Sequence, residues 1–300
     1  MKAAIKYILI WLIVTVAVFV FFYVVGSSVL GVSDINDADE ISKNPWLLAG
    51  SLTCADLLLL LLFWKRGYTR NWFKYGFTYG EEFSTAKLCY WAVLGAFGCL
   101  LLEILAQEYV PVPVDLETEK FLGMLMLNPV GVLSVCLIGP LAEEAIFRGA
   151  ILRRLLEQKW NPWFAIVISA VLFAVAHGNF AQGMTAIIMG CFMGWIYYRT
   201  RSIMPCFLVH AVNNTTAVVT ALTMSQLMPD TTAEKMGLPV TVGIPLIVVS
   251  LIVIYVAART IGKMTNDRTP IPVPADEVLP PPLPPTAPGN PLPPEFEPQD

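Results

Sequence analysis

Long apolar runs, each bounded by charge or proline, set the pattern of this chain. Eight of them extend roughly over Tyr7 to Leu30, Trp46 to Trp64, Thr85 to Ala106, Val130 to Leu156, Pro162 to His177, Phe180 to Tyr198, Ile203 to Met224 and Leu238 to Ala258. A bilayer core about 30 Å thick takes about 20 residues of α-helix. The runs therefore predict an all-α fold, a polytopic membrane helical bundle of about eight transmembrane helices, with the fifth run short and the fourth long.

The connections between runs carry charge in alternation, as cytoplasmic and outer loops do. Lys2 and Lys6 precede the first run, Lys65, Arg66, Arg70 and Lys74 follow the second, and Arg148, Arg153, Arg154 and Lys159 cluster near the fourth-to-fifth turn. Arg199 and Arg201 follow the sixth run, and Arg259 and Lys263 the eighth. The other connections, including Asp34 to Glu40 and Asp115 to Glu119, are acidic or nearly uncharged. Both termini are expected in the cytoplasm. The first run, from Tyr7 to Val25 alone, exceeds the 7 to 15 apolar residues of a signal peptide and is expected to be retained.

Composition agrees with the pattern. Hydrophobic residues make up 56% of the 300 and charged residues 14%, with a mean hydropathy of +0.64. Basic residues occur in twos and threes, so no nucleic-acid footprint is expected. The six cysteines all lie inside apolar runs with no CxxC pair and read as small core residues. From about Thr265 the chain turns to proline and acid, as in "LPPPLPP" and "NPLPPEFEP". This divides it into a transmembrane helical domain, 1–264, and a disordered, Pro-rich cytoplasmic tail, 265–300, of polyproline-like character.

Both histidines of the chain, His177 in "FAVAHGN" and His210 in "FLVHAVNNTT", fall inside apolar runs. A third polar site is "GPLAEEAIFRG", with Glu143 and Glu144 side by side and Arg148 following. Ionisable groups are costly in lipid, so they face a bundle interior and mark function. Residues four apart share a helical face while neighbours point about 100° apart, so Glu144 and Arg148 are natural partners. Glu143 then turns elsewhere and is free to act as a general base. Phe173 with His177 and His210 with Asn214 repeat the four-residue spacing. If Asn161 and Pro162 form a hairpin turn, Glu144, 17 residues before Asn161, and His177, 16 after it, reach similar heights. A direct meeting of glutamate and histidine is feasible there.

The ordered set E-E-x-x-x-R (Glu143, Glu144, Arg148), F-x-x-x-H (Phe173, His177) and H-x-x-x-N (His210, Asn214) resembles the three motifs of the CAAX protease and bacteriocin-processing family, also called the Abi family. That family includes the type II CAAX prenyl endopeptidases. The resemblance spans about Gly139 to Thr216. It implies an intramembrane endopeptidase acting on a membrane-associated peptide or protein that is prenylated or a precursor peptide; the compact multi-pass chain itself suits a bacterial plasma membrane. In that reading Glu143 and His177 activate water, His210 and Asn214 hold the oxyanion, and Glu144, Arg148 and Phe173 support them.

Family members have been described both as metal-free glutamate-type proteases and as metalloproteases. Glu143, His177 and His210 match the two-histidine, one-carboxylate set of catalytic zinc. With no HExxH and the three residues on separate helices, the metal-free form is preferred and no cofactor is expected, zinc being the alternative. Two further readings stay open, a catalytically silent protease-like scaffold and a transporter. Intact motifs disfavour the first, and the absence of internal symmetry the second. Asp56 and Glu103 have no partner that the sequence identifies, and Asn213 reads as a helix contact.

Overall fold

The computed structural model describes residues 2–30, 44–65, 77–81, 83–110, 116–227 and 237–270. Its helices are α1 (Lys2–Leu30), α2 (Pro45–Lys65), α3 (Thr85–Tyr109), α4 (Leu116–Met126), α5 (Pro129–Glu157), α6 (Pro162–Ala176), α7 (Phe180–Thr200), α8 (Met204–Leu227) and α9 (Val240–Met264). Seven of these are long and apolar enough to cross a membrane, and α6, at 15 residues, is a shorter apolar helix. The polytopic helical bundle expected from the apolar runs is what the chain forms. The short helix α4 had no counterpart among those runs.

Asparagine and proline set where the central helices begin. Asn128 caps α5 by accepting from the Gly131 N–H at 2.9 Å, and Asn161 caps α6 by accepting from the Trp163 N–H at 3.0 Å. Each is followed by a proline at the first helical position, where the missing N–H costs nothing. Helix α5 then runs unbroken for 29 residues but widens twice into π-helix, over Ser134–Ile138 and Ala145–Leu152. The first widening ends two residues before Pro140. A proline ring blocks the carbonyl four residues earlier, and the extra residue in the preceding turn lets the helix continue past it. Gly139 N–H accordingly reaches back to the Ser134 carbonyl.

Small residues let the helices close up. A Cβ at Gly95 of α3 would land on the Phe192 ring of α7, and one at Gly98 would sit 3.1 Å from the Ser250 carbonyl of α9. Without a solvent-driven hydrophobic effect inside lipid, such close backbone approach is the main source of packing energy. The core is dominated by α5, whose residues from Glu144 to Leu152 are all buried, together with Phe63, Leu88, Met193 and Val209 from four neighbouring helices.

The first residues assigned to the tail, 265–270, are folded onto the bundle. Thr265 is buried, and β2 (Arg268–Pro270) pairs antiparallel with β1 (Phe77–Tyr79), Tyr79 opposite Arg268. Arg268 Nη1 donates to the carbonyls of Tyr198 and Arg199, each at 2.9 Å, at the end of α7. Arg199 in return donates to the Gly262 carbonyl and the Thr265 hydroxyl, each at 2.8 Å, at the end of α9. Two helix C-termini, each carrying unpaired carbonyls and partial negative charge, thus receive a guanidinium from the neighbouring segment. Residues 271–300, the rest of the expected tail, lie outside the described residues.

Candidate active site

Glu143 is the middle residue of α5, in the short α-helical stretch Gly139–Glu144 between the two π segments. The neighbouring glutamates have different surroundings. Glu144 is fully buried, and its Oε1 accepts from Arg148 Nη1 at 2.7 Å and from His210 Nδ1 at 3.0 Å. Arg148, also fully buried, sends Nη2 to the Gly190 carbonyl of α7 at 3.2 Å. A side chain at position 190 would crowd this contact, since a Cβ there would lie 3.0 Å from Ala170 Cβ and 3.4 Å from Arg148 Nη2. The expected Glu144–Arg148 pairing is present, and His210 completes it as a triad.

Glu143 keeps its side chain 30% exposed and faces His210 Nε2 across 3.6 Å, outside hydrogen-bond range. The glutamate–histidine meeting therefore involves His210 of α8, and both glutamates address that one ring. No hydrogen bond joins Glu143 to His177 among the described residues. His177 lies just past the last residue of α6, where its Nδ1 is 2.9 Å from the Phe173 carbonyl one turn earlier. Gly178 follows at φ +65°, the left-handed turn that glycine adopts without strain, and Asn179 caps α7. Helix α6 spans only about 22 Å at 1.5 Å per residue, so its terminal histidine is carried inside the bundle.

The hydrogen bonds fix both imidazole tautomers. A carbonyl and a carboxylate only accept, so Nδ1 carries a proton in His177 and in His210, and Nε2 is the nitrogen left for chemistry in each ring. Phe173 holds the two rings apart. Its ring meets His177 edge-on at 4.7 Å and His210 at 5.5 Å, with the Arg148 guanidinium 4.7 Å from its centroid. Asn214 Nδ2 donates to the Val135 carbonyl at 2.9 Å, a group in the first π segment of α5, and has a second N–H to offer.

Glu143, His177, His210, Asn214 and Phe173 all line one cavity of about 480 Å³. Asp56 of α2, Glu103 of α3 and Asn213 of α8 line it as well. The sequence supplied no partner for the two acids, and their common destination became visible only once the helices were assembled. Among the described residues no group of three or more His, Cys, Asp or Glu is placed to hold a metal ion. Glu143, His177 and His210 line the same cavity but do not form such a group.

A polytopic helical bundle with buried carboxylate, imidazole and amide groups opening on an interior cavity defines the chain's class as a membrane protein with a polar centre between its helices. The comparisons narrow this. The family model described as type II CAAX prenyl endopeptidase Rce1-like matches residues 126–216. The "Putative membrane peptidase YdiL" of Bacillus subtilis (strain 168) is 28% identical over 182 residues, 59% of this chain and 71% of that protein. The "Membrane-embedded CAAX protease MroQ" of Staphylococcus aureus (strain USA300) is 29% identical over 139 residues, 43% of this chain and 56% of that protein. No solved structure shows a significant match. These matches bear out the resemblance of the chain to the CAAX protease and bacteriocin-processing family.

Proposed function

We propose that the chain is an intramembrane endopeptidase in which Glu143 and His177 activate a water against a peptide carbonyl. The observation that supports this most directly is the convergence of Glu143, His177, His210 and Asn214 on one cavity at the middle of α5. Buried ionisable groups in a membrane protein gather where chemistry or transport needs them.

The water is held between the Glu143 carboxylate and the unprotonated Nε2 of His177. Its oxygen attacks the scissile carbonyl carbon, and its proton passes to the carboxylate. The oxyanion that forms is met by the free N–H of Asn214 and by His210 Nε2. That nitrogen donates when the ring is doubly protonated, with Glu144 at Nδ1 and Glu143 3.6 Å from Nε2. The C–N bond then breaks as the proton on Glu143 moves to the leaving nitrogen, giving one carboxylate and one amine product. Glu144 and Arg148 position His210 and set its tautomer. Both termini face the cytoplasm of a bacterial plasma membrane, and a membrane-associated peptide or protein, prenylated or a precursor, enters from the bilayer.

Cleavage of an apolar peptide library by the purified full chain in detergent, read by mass spectrometry, tests this. Wild type is expected to cut, and Glu143→Gln and His177→Ala to lose about 10²- to 10⁴-fold in rate, the worth of general acid–base catalysis. Equal cutting by the variants overturns the assignment. Activity is expected to survive exhaustive chelation. Loss on chelation with recovery on added zinc overturns the metal-free mechanism.

A further inference from the structure

Two carboxylates that the mechanism leaves unused stand on the cavity wall. Asp56 is 7% exposed and Glu103 4% exposed. Asp56 Oδ2 and Glu103 Oε1 are shielded from solvent and have no hydrogen-bond partner among the described residues. Both residues line the cavity that Glu143 lines. The two side chains come from different helices, α2 and α3, and in each the other carboxyl oxygen is left to face the cavity.

The position of Asp56 relative to the reacting groups can be read from the α5 backbone. A Cβ on Gly139 would lie 3.4 Å from Asp56 Oδ2, so the carboxylate rests against that glycine. Gly139 is one helical turn before Glu143, about 6 Å along the axis. Six ångströms is about two residues of extended peptide. Removing a carboxyl oxygen from water with no donor opposite it is costly, and a ligand carrying donors and positive charge relieves that cost. Among the described residues that line the cavity none is a lysine or arginine, Arg148 being turned to Glu144 and the Phe173 ring.

We propose that the cavity binds a basic side chain of its substrate, a lysine ammonium or an arginine guanidinium, on Asp56, within about two residues of the bond that is cut. Glu103 adds a second acidic side chain to the same cavity wall and strengthens the preference. The placement relative to the cut bond rests on the peptidase reading, whereas the binding of a cation does not.

The test uses the full chain in a neutral detergent with acetylated, amidated apolar peptides that contain a photoactivatable leucine analogue. Each peptide carries one lysine, norleucine or glutamate moved along its sequence, and competition in photolabelling gives apparent affinity. At one position the lysine peptide is expected to bind at least about tenfold tighter than norleucine, with glutamate weakest. Asp56→Asn is expected to lower the lysine peptide to the norleucine level, and Glu103→Gln to narrow the gap. Equal labelling by lysine and norleucine peptides at every position of wild type overturns the proposal, as does a lysine preference that survives both substitutions together. Cleavage is read in the same samples. Lysine-selective labelling without cutting supports the cation site and removes the peptidase reading, and cutting without charge selectivity does the reverse.

Discussion

Glu143 and Glu144 are adjacent and chemically identical, yet their replacement by glutamine is expected to have opposite effects on stability and activity. Glu144 Oε1 alone accepts both charged hydrogen bonds of the triad, from Arg148 and His210, while Oε2 and Arg148 Nε have no partner among the described residues. Glutamine at 144 fits the space but leaves the fully buried Arg148 without a counter-charge. Breaking one side of a buried pair in this way costs about 3 to 5 kcal/mol. For a chain of this size that is about 6 to 10 °C in melting temperature at about 2 °C per kcal/mol. Glu143 makes no hydrogen bond among the described residues and is 30% exposed, so Glu143→Gln is expected to change stability by less than about 0.5 kcal/mol. Its peptidase rate should nevertheless collapse. The assay is thermal unfolding in detergent beside initial rates on one cleavable peptide. Arg148→Met joined to Glu144→Gln removes the orphaned charge and is expected to recover part of the lost stability. Equal destabilisation by the two glutamine variants, or an unchanged melting temperature in Glu144→Gln, refutes this division of labour.

Three further outcomes follow from the geometry. Asn214→Ala is expected to lower kcat by about 10²- to 10³-fold with KM little changed, because an oxyanion donor acts mainly in the transition state; a change confined to KM speaks against that role. Gly190→Ala is expected to cost about 1 to 3 kcal/mol as a Cβ enters between Ala170 and the Arg148 guanidinium, measured by detergent-to-SDS unfolding. Arg268→Ala removes both carbonyl hydrogen bonds at the end of α7 and the contacts with the Phe77 and Tyr198 rings. It is expected to lower stability by about 2 kcal/mol, seen as faster proteolysis near β2, with kcat of the folded enzyme unchanged.

The sequence displays the bundle because lipid demands long apolar helices, and a demand on length is visible without knowing what packs against what. It also displays the Glu144–Arg148 pair, whose spacing lies within one helix. Contacts between helices were harder to see. A hairpin at Asn161 places His177 at the height of Glu144, but height says nothing about azimuth, and the ring that reaches Glu144 is His210. Asp56 and Glu103 were noticed as isolated acids, and only assembly of α2, α3 and α5 shows that they share a cavity with Glu143. Residues 265–270 were read as tail because proline begins nearby. Their attachment depends on Arg268 meeting the last carbonyls of α7, a contact no local pattern announces. Arg199 served the topology argument through its charge alone, while the structure also uses it to cap α9.

The two π segments of α5 bear on how this helix can change length. A π turn is an α turn with one residue too many, so deleting a residue from Ser134–Ile138, or from residues 149–152 beyond Arg148, can restore α geometry without breaking the helix or the spacing of Glu144 and Arg148. Glu143 and Glu144 therefore stand between two places where single-residue gaps are structurally cheap, while a gap inside Gly139–Glu144 would rotate one carboxylate away from His210. Alignments of this region to other membrane peptidases should allow such gaps before Gly139 and after Arg148 and forbid them between.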